Sequence, residues 1–146
     1  FDIFFKKCES LLKPSGVMVM QIITMPDQRY DAYSKGTDFI QKYIFPGGHL
    51  PSVGKILETT TTHTRLNLLH MEEFTEDYAK TLRLWHEAFM QKLDQVKNLG
   101  FDEYFIRMWR MYLSYCEAAF ITRNINLVQV AFTRDQNTYL NKGLVA

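Results

Sequence analysis

No glycine-rich turn follows any strand-like run in this chain, although its 7 glycines would allow one. An α/β protein that holds a dinucleotide or nucleoside cofactor normally carries such a turn after its first strand, with an acidic residue further on. The cofactor-binding part of that kind of fold is therefore not expected among these residues. Cysteine is equally scarce. Cys8 and Cys116 lie far apart with no paired spacing, which argues against a disulfide framework and fits reduced thiols in the cytoplasm. Charge of one sign is lacking too, since 17 Lys and Arg face 16 Asp and Glu. With no basic stripe, nucleic acid is not an expected partner. No apolar run approaches the ~20 residues that span a bilayer, and no basic segment followed by an apolar stretch opens the chain. The four histidines, His49, His63, His70 and His86, form no i, i+4 pair around a carboxylate. No metal site is expected, and solvated surface is their default place.

What is present is the composition of an ordered globular protein, 47% hydrophobic and 14% aromatic. A chain of 146 residues makes about one domain and buries roughly two thirds of its unfolded surface. In FDIFFKKCESLLKPSG the apolar positions Phe1, Phe4, Phe5, Cys8, Leu11 and Leu12 recur at helical spacing until Pro14 and Gly16 end the helix. VMVMQIIT, apolar apart from Gln21, reads as a buried strand stopped by Pro26. PDQRYDAYSKG reads as a polar turn, DFIQKY as a short helix, and VGKILETT as a helix capped by Ser52. RLNLLHMEEF alternates as a second strand. Residues 76–99 form one long amphipathic helix ended by Gly100, and residues 102–122 another. INLVQVAFT is a third strand, followed by a frayed tail over 135–146. Helix, turn and buried strand are an α/β signature, but three strands make an incomplete sheet. Residues 1–134 are expected to be the back half of one doubly wound domain, and the opening Phe1 in place of Met points the same way.

YIFPGGHLPS at residues 43–52 is apolar yet broken by Pro46, Gly47, Gly48 and Pro51, so no regular element survives there. A loop this apolar is expected to cover a pocket or a partner surface. The blocks LLKPSGVMVMQIIT, DFIQKYIFPGGHLPS, DYAKTLRLW, GFDEYFIRMWRMYLSYCEAAF and INLVQVAFTR, in that order, resemble the C-terminal half of the cyclopropane-fatty-acyl-phospholipid synthases, which include the mycolic acid cyclopropane synthases. The resemblance covers residues 1 to 134. It implies the class I S-adenosylmethionine-dependent methyltransferase fold, Rossmann-like, without the glycine-rich cofactor half. It also places YIFPGGHLPS in the segment that this family inserts over its acyl pocket.

Methylene addition to an unactivated cis alkene creates a carbocation, so the site must be apolar and exclude water. A base must then take a proton, and the resemblance implies a bicarbonate ion in that role. Carried over residue by residue, Tyr78 of DYAKTL and Cys116 of YCEAAF match two members of the bicarbonate cluster, and Gln21 and Ile23 take the strand-end positions of two more. Gln21 stands where some members have histidine and donates an amide hydrogen without carrying charge. Cys116, Tyr78 and Gln21 are thus the expected catalytic residues, and Leu82, Tyr112 and Phe120 the expected acyl-pocket wall. Cofactor-binding residues are expected outside this chain. Without the resemblance, Cys116, Tyr112 and Phe120 read as ordinary core at i, i+4 spacing, and Tyr78 as a helix-start aromatic.

The resulting expectation is an enzyme part that supplies the acyl and bicarbonate side of a site for S-adenosylmethionine-dependent cyclopropane synthesis on unsaturated phospholipid chains. It would be inactive alone, cytoplasmic and peripheral at the inner face of the membrane. Lys35, Lys42, Lys55 and Arg65 flank the inserted segment, within reach of lipid phosphates. Two alternatives stay open: a related lipid C-methyltransferase giving methyl-branched or hydroxylated products, and a non-catalytic lipid-binding or assembly module. Self-association is expected wherever a half-core is left uncovered.

Overall fold

The computed structural model describes residues 1–141. Six α-helices and three strands run in the order α1 (Asp2–Leu11), β1 (Val17–Thr24), α2 (Asp27–Tyr33), α3 (Val53–His63), β2 (Leu66–Glu73), α4 (Thr75–Gln91), α5 (Leu93–Asn98), α6 (Glu103–Ile121) and β3 (Asn126–Arg134). A π-helical turn at Ile40–Ile44 precedes α3, and a 3-10 turn at Thr138–Asn141 follows β3. The remainder of the expected tail, residues 142–146, lies outside the described residues.

The strands make one sheet in the order β1-β3-β2, with β3 antiparallel to both neighbours. The two outer strands therefore run parallel to each other, and the crossover between them carries α2, the π-turn and α3. Alternation along β3 puts Val128, Val130 and Phe132 on one face, where Phe5 of α1, Ile56 of α3 and Leu66 complete a core. Leu127 points to the other face and joins Ala79 and Leu82 of α4 with Leu113 and Phe120 of α6. Helices thus flank a thin sheet on both sides, as in α/β folds.

Four sequence expectations need correction. PDQRYDAYSKG is not a turn but contains α2, tied down by a hydrogen bond from Gly54 N to Asp27 Oδ1 (2.8 Å) and one from the Arg29 guanidinium to Asn124 Oδ1. These long-range partners give helical order to a stretch whose local composition favours a turn. The helix over 76–99 is broken at Lys92 (φ −113°, ψ 20°) into α4 and α5, with no proline or glycine there to signal it. Gly100, at φ +92°, does end α5 as expected. Among the described residues β1 pairs with β3 alone and is not fully buried; Ile23, near its end, packs on the α4–α6 core. Met18, Met20 and Ile22 pack inward, whereas Val19 stays 66% exposed. Gln21 is mid-strand and exposed rather than at the strand end, and Gln129 Nε2 donates to its Oε1 at 3.2 Å.

Candidate functional site

The carboxyl ends of β1 and β2 meet the amino end of β3 at one edge of the sheet, the edge where open α/β sheets place their ligands. A depression of about 420 Å³ lies there, lined by Gln21, Ile22 and Ile23 of β1, Leu127 of β3, Tyr78 of α4 and the loop residues His49, Leu50 and Pro51.

Each wall is fixed by identifiable bonds. Thr75, 2% exposed at the head of α4, donates its Oγ1 hydrogen to Glu73 Oε1 (2.6 Å) and accepts from Leu127 N (3.1 Å). Phe74 N donates to Leu127 O at 2.9 Å. Together these clamp the start of α4 to β3 and fix Tyr78 one turn later. The Thr75 hydroxyl and then the Arg123 guanidinium hold the Glu73 carboxyl below its ordinary value. The apolar loop is held as firmly: Leu50 N donates to Tyr33 Oη (3.1 Å), Met25 N to Pro51 O (2.9 Å) and Gln41 Nε2 to Gly48 O (3.0 Å). Gly47 takes φ +81°, which only glycine adopts without strain. Ser52 caps α3 by accepting from Lys55 N at 3.0 Å.

YIFPGGHLPS and the π-turn before it lie against α6. The Phe45 ring meets Tyr112 edge-on at 6.0 Å, and Phe39 meets Tyr115 at 6.0 Å. Behind this cover, Ile23, Tyr78, Tyr112 and Cys116 pack on the α4–α6 core together with Leu82 and Phe120. Tyr78 stacks on Phe120 at 4.9 Å. Leu82 and Phe120 are 1% and 2% exposed and back the site from within the core, whereas Tyr112 and Cys116 remain half-buried. The structure therefore brings Ile23, Tyr78, Leu82, Tyr112, Cys116 and Phe120 into one cluster, with Gln21 at the open end of the depression.

Burial dominates the electrostatics. It pushes up the hydroxyls of Tyr78 and Tyr112, each further raised by Cys116, and the thiol of Cys116 itself to about 11, helped by the Asp38 carboxylate. Near neutral pH all three groups are protonated and can only donate to an anion or stay neutral, so none is itself a base or a thiolate nucleophile. The folded state holds the Cys116 proton more tightly than the unfolded chain, whose thiol ionises near 9.0. Stability is therefore expected to be fully present below pH about 9 and to fall as pH rises toward about 11. Denaturation midpoints taken across that window check this, and Cys116→Ala should flatten the fall; an unchanged slope in the variant would count against a desolvated thiol.

Several residues around the site were not read individually from the sequence as part of it, among them Thr75, Asp38 and His49. Asp38, whose Oδ1 accepts from Gln41 N (2.8 Å), brings the nearest carboxylate to Cys116. Its position at the start of a helical turn is the only local signal. His49 is exposed, as expected, but its Nε2 lies 3.2 Å from Tyr30 Oη and its ring packs on Tyr33 at 5.2 Å. His86 departs from the expected solvated place, since its Nε2 is buried. Among the described residues no group of three or more His, Cys, Asp or Glu is placed to hold a metal ion, and no helix is long and apolar enough to cross a membrane. No described strand is followed by a glycine-rich turn.

Residues 1–130 match the family model described as mycolic acid cyclopropane synthetase. The chain is 44% identical over 132 residues to the tuberculostearic acid methyltransferase UfaA1 of Mycobacterium tuberculosis, covering 90% of this chain and 31% of that protein. To the cyclopropane-fatty-acyl-phospholipid synthase of Escherichia coli it is 35% identical over 139 residues, covering 92% and 33% respectively. The crystal structure of the mycolic acid cyclopropane synthase CmaA1, complexed with SAH and CTAB, matches with a TM-score of 0.80 and 27% identity over 91% of this chain and 49% of that one. The chain thus spans about a third of these curated relatives and about half of that solved structure. The chain therefore belongs to the mycolic acid cyclopropane synthetase family of S-adenosylmethionine-dependent lipid methyl and cyclopropane transferases.

Proposed function

We propose that these residues form the acyl side of an enzyme that adds a methylene group from S-adenosylmethionine to the cis double bond of an unsaturated phospholipid chain. The donor would be held elsewhere on the polypeptide that carries them. The observation behind this reading is the mainly apolar pocket at the sheet edge, where Tyr78 shares the lining with Gln21, Ile23, Leu127 and the loop residues His49, Leu50 and Pro51, and no carboxylate, lysine or arginine lines it. Alkylating an alkene leaves a positive centre that water would quench, and the apolar lining of Ile22, Ile23, Leu50, Pro51 and Leu127 offers such a centre no nucleophile.

A bicarbonate ion bound there would supply the base. The residues fit it on the Tyr78 side: the phenol is protonated, and the Gln21 amide, its Oε1 already accepting from Gln129, has its Nε2 hydrogens free to donate. Cys116 fits less well as an anion ligand because the Asp38 carboxylate stands beside it, so its place is behind Tyr78, as a neutral packing group. Tyr112 forms the wall for the acyl chain, with Leu82 and Phe120 supporting it. The enzyme would meet its substrate as a peripheral protein on the cytoplasmic face of the membrane.

The 44% identity to a tuberculostearic acid methyltransferase favours a second reading, in which the same carbocation loses a proton from a neighbouring carbon and leaves a branch on a chain that keeps a double bond. The test is to incubate the full polypeptide that carries these residues with methyl-labelled S-adenosylmethionine and vesicles of cis-unsaturated phospholipid. A product heavier by CH2 that has lost its olefinic protons supports cyclopropane closure. A product heavier by CH2 that keeps a double bond beside its new branch moves the assignment to the second reading, and absence of label from lipid rejects both.

A further inference from the structure

Arginine on this surface is almost everywhere engaged. Arg65, Arg83 and Arg123 make ion pairs with carboxylates, Arg134 donates to Glu9 O, and Arg29 bonds Asn124. Arg107 and Arg110 of α6 are the exceptions among the described residues: both are exposed, and neither makes a hydrogen bond or ion pair. The carboxylate next to them in sequence, Glu103, is bound by Lys97 Nζ at 2.7 Å, and Arg107 adds a weaker attraction to it without forming an ion pair.

Two adjoining depressions share Arg107 and Met111. One, of about 290 Å³, is lined by His86, Arg107, Arg110, Met111 and Ser114. The other, of about 260 Å³, is lined by Phe39, Tyr43, Tyr104, Arg107, Met108 and Met111. No carboxylate lines either one. In the first, two unpaired guanidiniums and a hydroxyl converge, and His86 adds a buried Nε2 without a hydrogen-bond partner among the described residues, which costs free energy until one is found. The second is apolar, and its rim leaves Tyr43, Tyr104 and Met111 49%, 61% and 51% exposed. Lys42 Nζ sits 5.1 Å over the Tyr43 ring. Cations beside exposed aromatic side chains are the combination that settles at the headgroup level of an anionic membrane.

We propose that Arg107, Arg110 and Ser114, with His86 beside them, seat the phosphate of an anionic phospholipid headgroup, while Tyr43, Tyr104 and Met111 enter the lipid surface next to it. This rests on the lipid-modifying reading above and names the face that docks. The occupant is bilayer phospholipid; free phosphate shares the chemistry but has no use for the aromatic rim. The docking face adjoins the covering segment, since Phe39 lies both in the second depression and against Tyr115 of α6.

Flotation with vesicles of phosphatidylcholine alone, and of phosphatidylcholine mixed with phosphatidylglycerol, tests this on the full chain. The chain is expected to bind the anionic vesicles, and R107Q/R110Q to bind them roughly thirtyfold more weakly, at about 1 kcal/mol for each cation removed. K6Q/K7Q, on exposed positions of α1 across the sheet, loses the same net charge and should bind nearly as wild type. Y43S/Y104S should weaken binding without changing its salt dependence, and circular dichroism checks that each variant is folded. Equal losses in the two charge variants, equal binding to neutral vesicles, or displacement of the chain by millimolar inorganic phosphate at constant ionic strength would overturn the proposal. The labelled-lipid assay, run on the full polypeptide with substrate in detergent micelles, separates the two readings: R107Q/R110Q should keep its lipid product there. A wild type that binds vesicles through these arginines but labels no lipid refutes the enzyme reading alone.

Discussion

Tyr78→Phe is expected to lower lipid product formation by the full polypeptide about a hundredfold while leaving its fold intact. The ring fills the same space against Phe120 (4.9 Å) and Trp85 (6.2 Å), so packing is preserved and only the hydroxyl is lost. That hydroxyl is the one protonated donor on α4 facing the depression, kept neutral by burial and by the neighbouring Cys116. If it holds the anion that receives the proton, the variant should lose kcat more than KM, and its residual rate should no longer rise with added bicarbonate. A variant that keeps the wild-type rate and bicarbonate response would remove Tyr78 from the site. A variant equally slow but still responding to bicarbonate would leave Tyr78 in the site with the anion bound elsewhere.

Phe132→Ala is expected to cost about 3–5 kcal/mol, the range for deleting a large aromatic side chain from a closed core. Phe132 is 0% exposed at the centre of β3, packed edge-on against Phe5 at 6.1 Å and surrounded by Ile56, Leu66, Val128 and Val130. Set against a typical domain stability of about 5–15 kcal/mol, this is a large fraction. Guanidinium denaturation with an unchanged m-value measures it, and Val19→Ala, at a 66% exposed position of β1, should cost less than 1 kcal/mol as the comparison. Similar losses at the two positions would mean that the core is not centred where the packing puts it.

Much of this fold was legible in the sequence because its signals are local. The period of α6, the Asp102 cap that accepts from Phe105 N, and Gly100 at positive φ all lie within a few residues of what they determine. The same holds for the apolar runs of β1 and β3. What could not be read depends on partners far along the chain. α2 owes its order to Gly54 and Asn124, and the half-open character of β1 follows from which helices reach its outer face. Gln21 shows the limit most plainly. An amide in an apolar run demands a hydrogen-bond partner; the partner is Gln129, 108 residues away, and it leaves the residue exposed. The site was legible residue by residue only through family resemblance. Tyr78, Ile23, Tyr112 and Cys116 do gather at one place, but Asp38 and Thr75, which set the charge and the geometry around them, carry no sequence mark beyond a helix-start position.

The position of β3 between β1 and β2 also orders events on the ribosome. Within residues 1–141, β1 and β2 are both translated before Asn126, and the strand that pairs with each of them arrives only after α4, α5 and α6. β2 therefore keeps the edge that β3 will cover unpaired while three helices are translated, an interval in which an open strand edge invites wrong pairing.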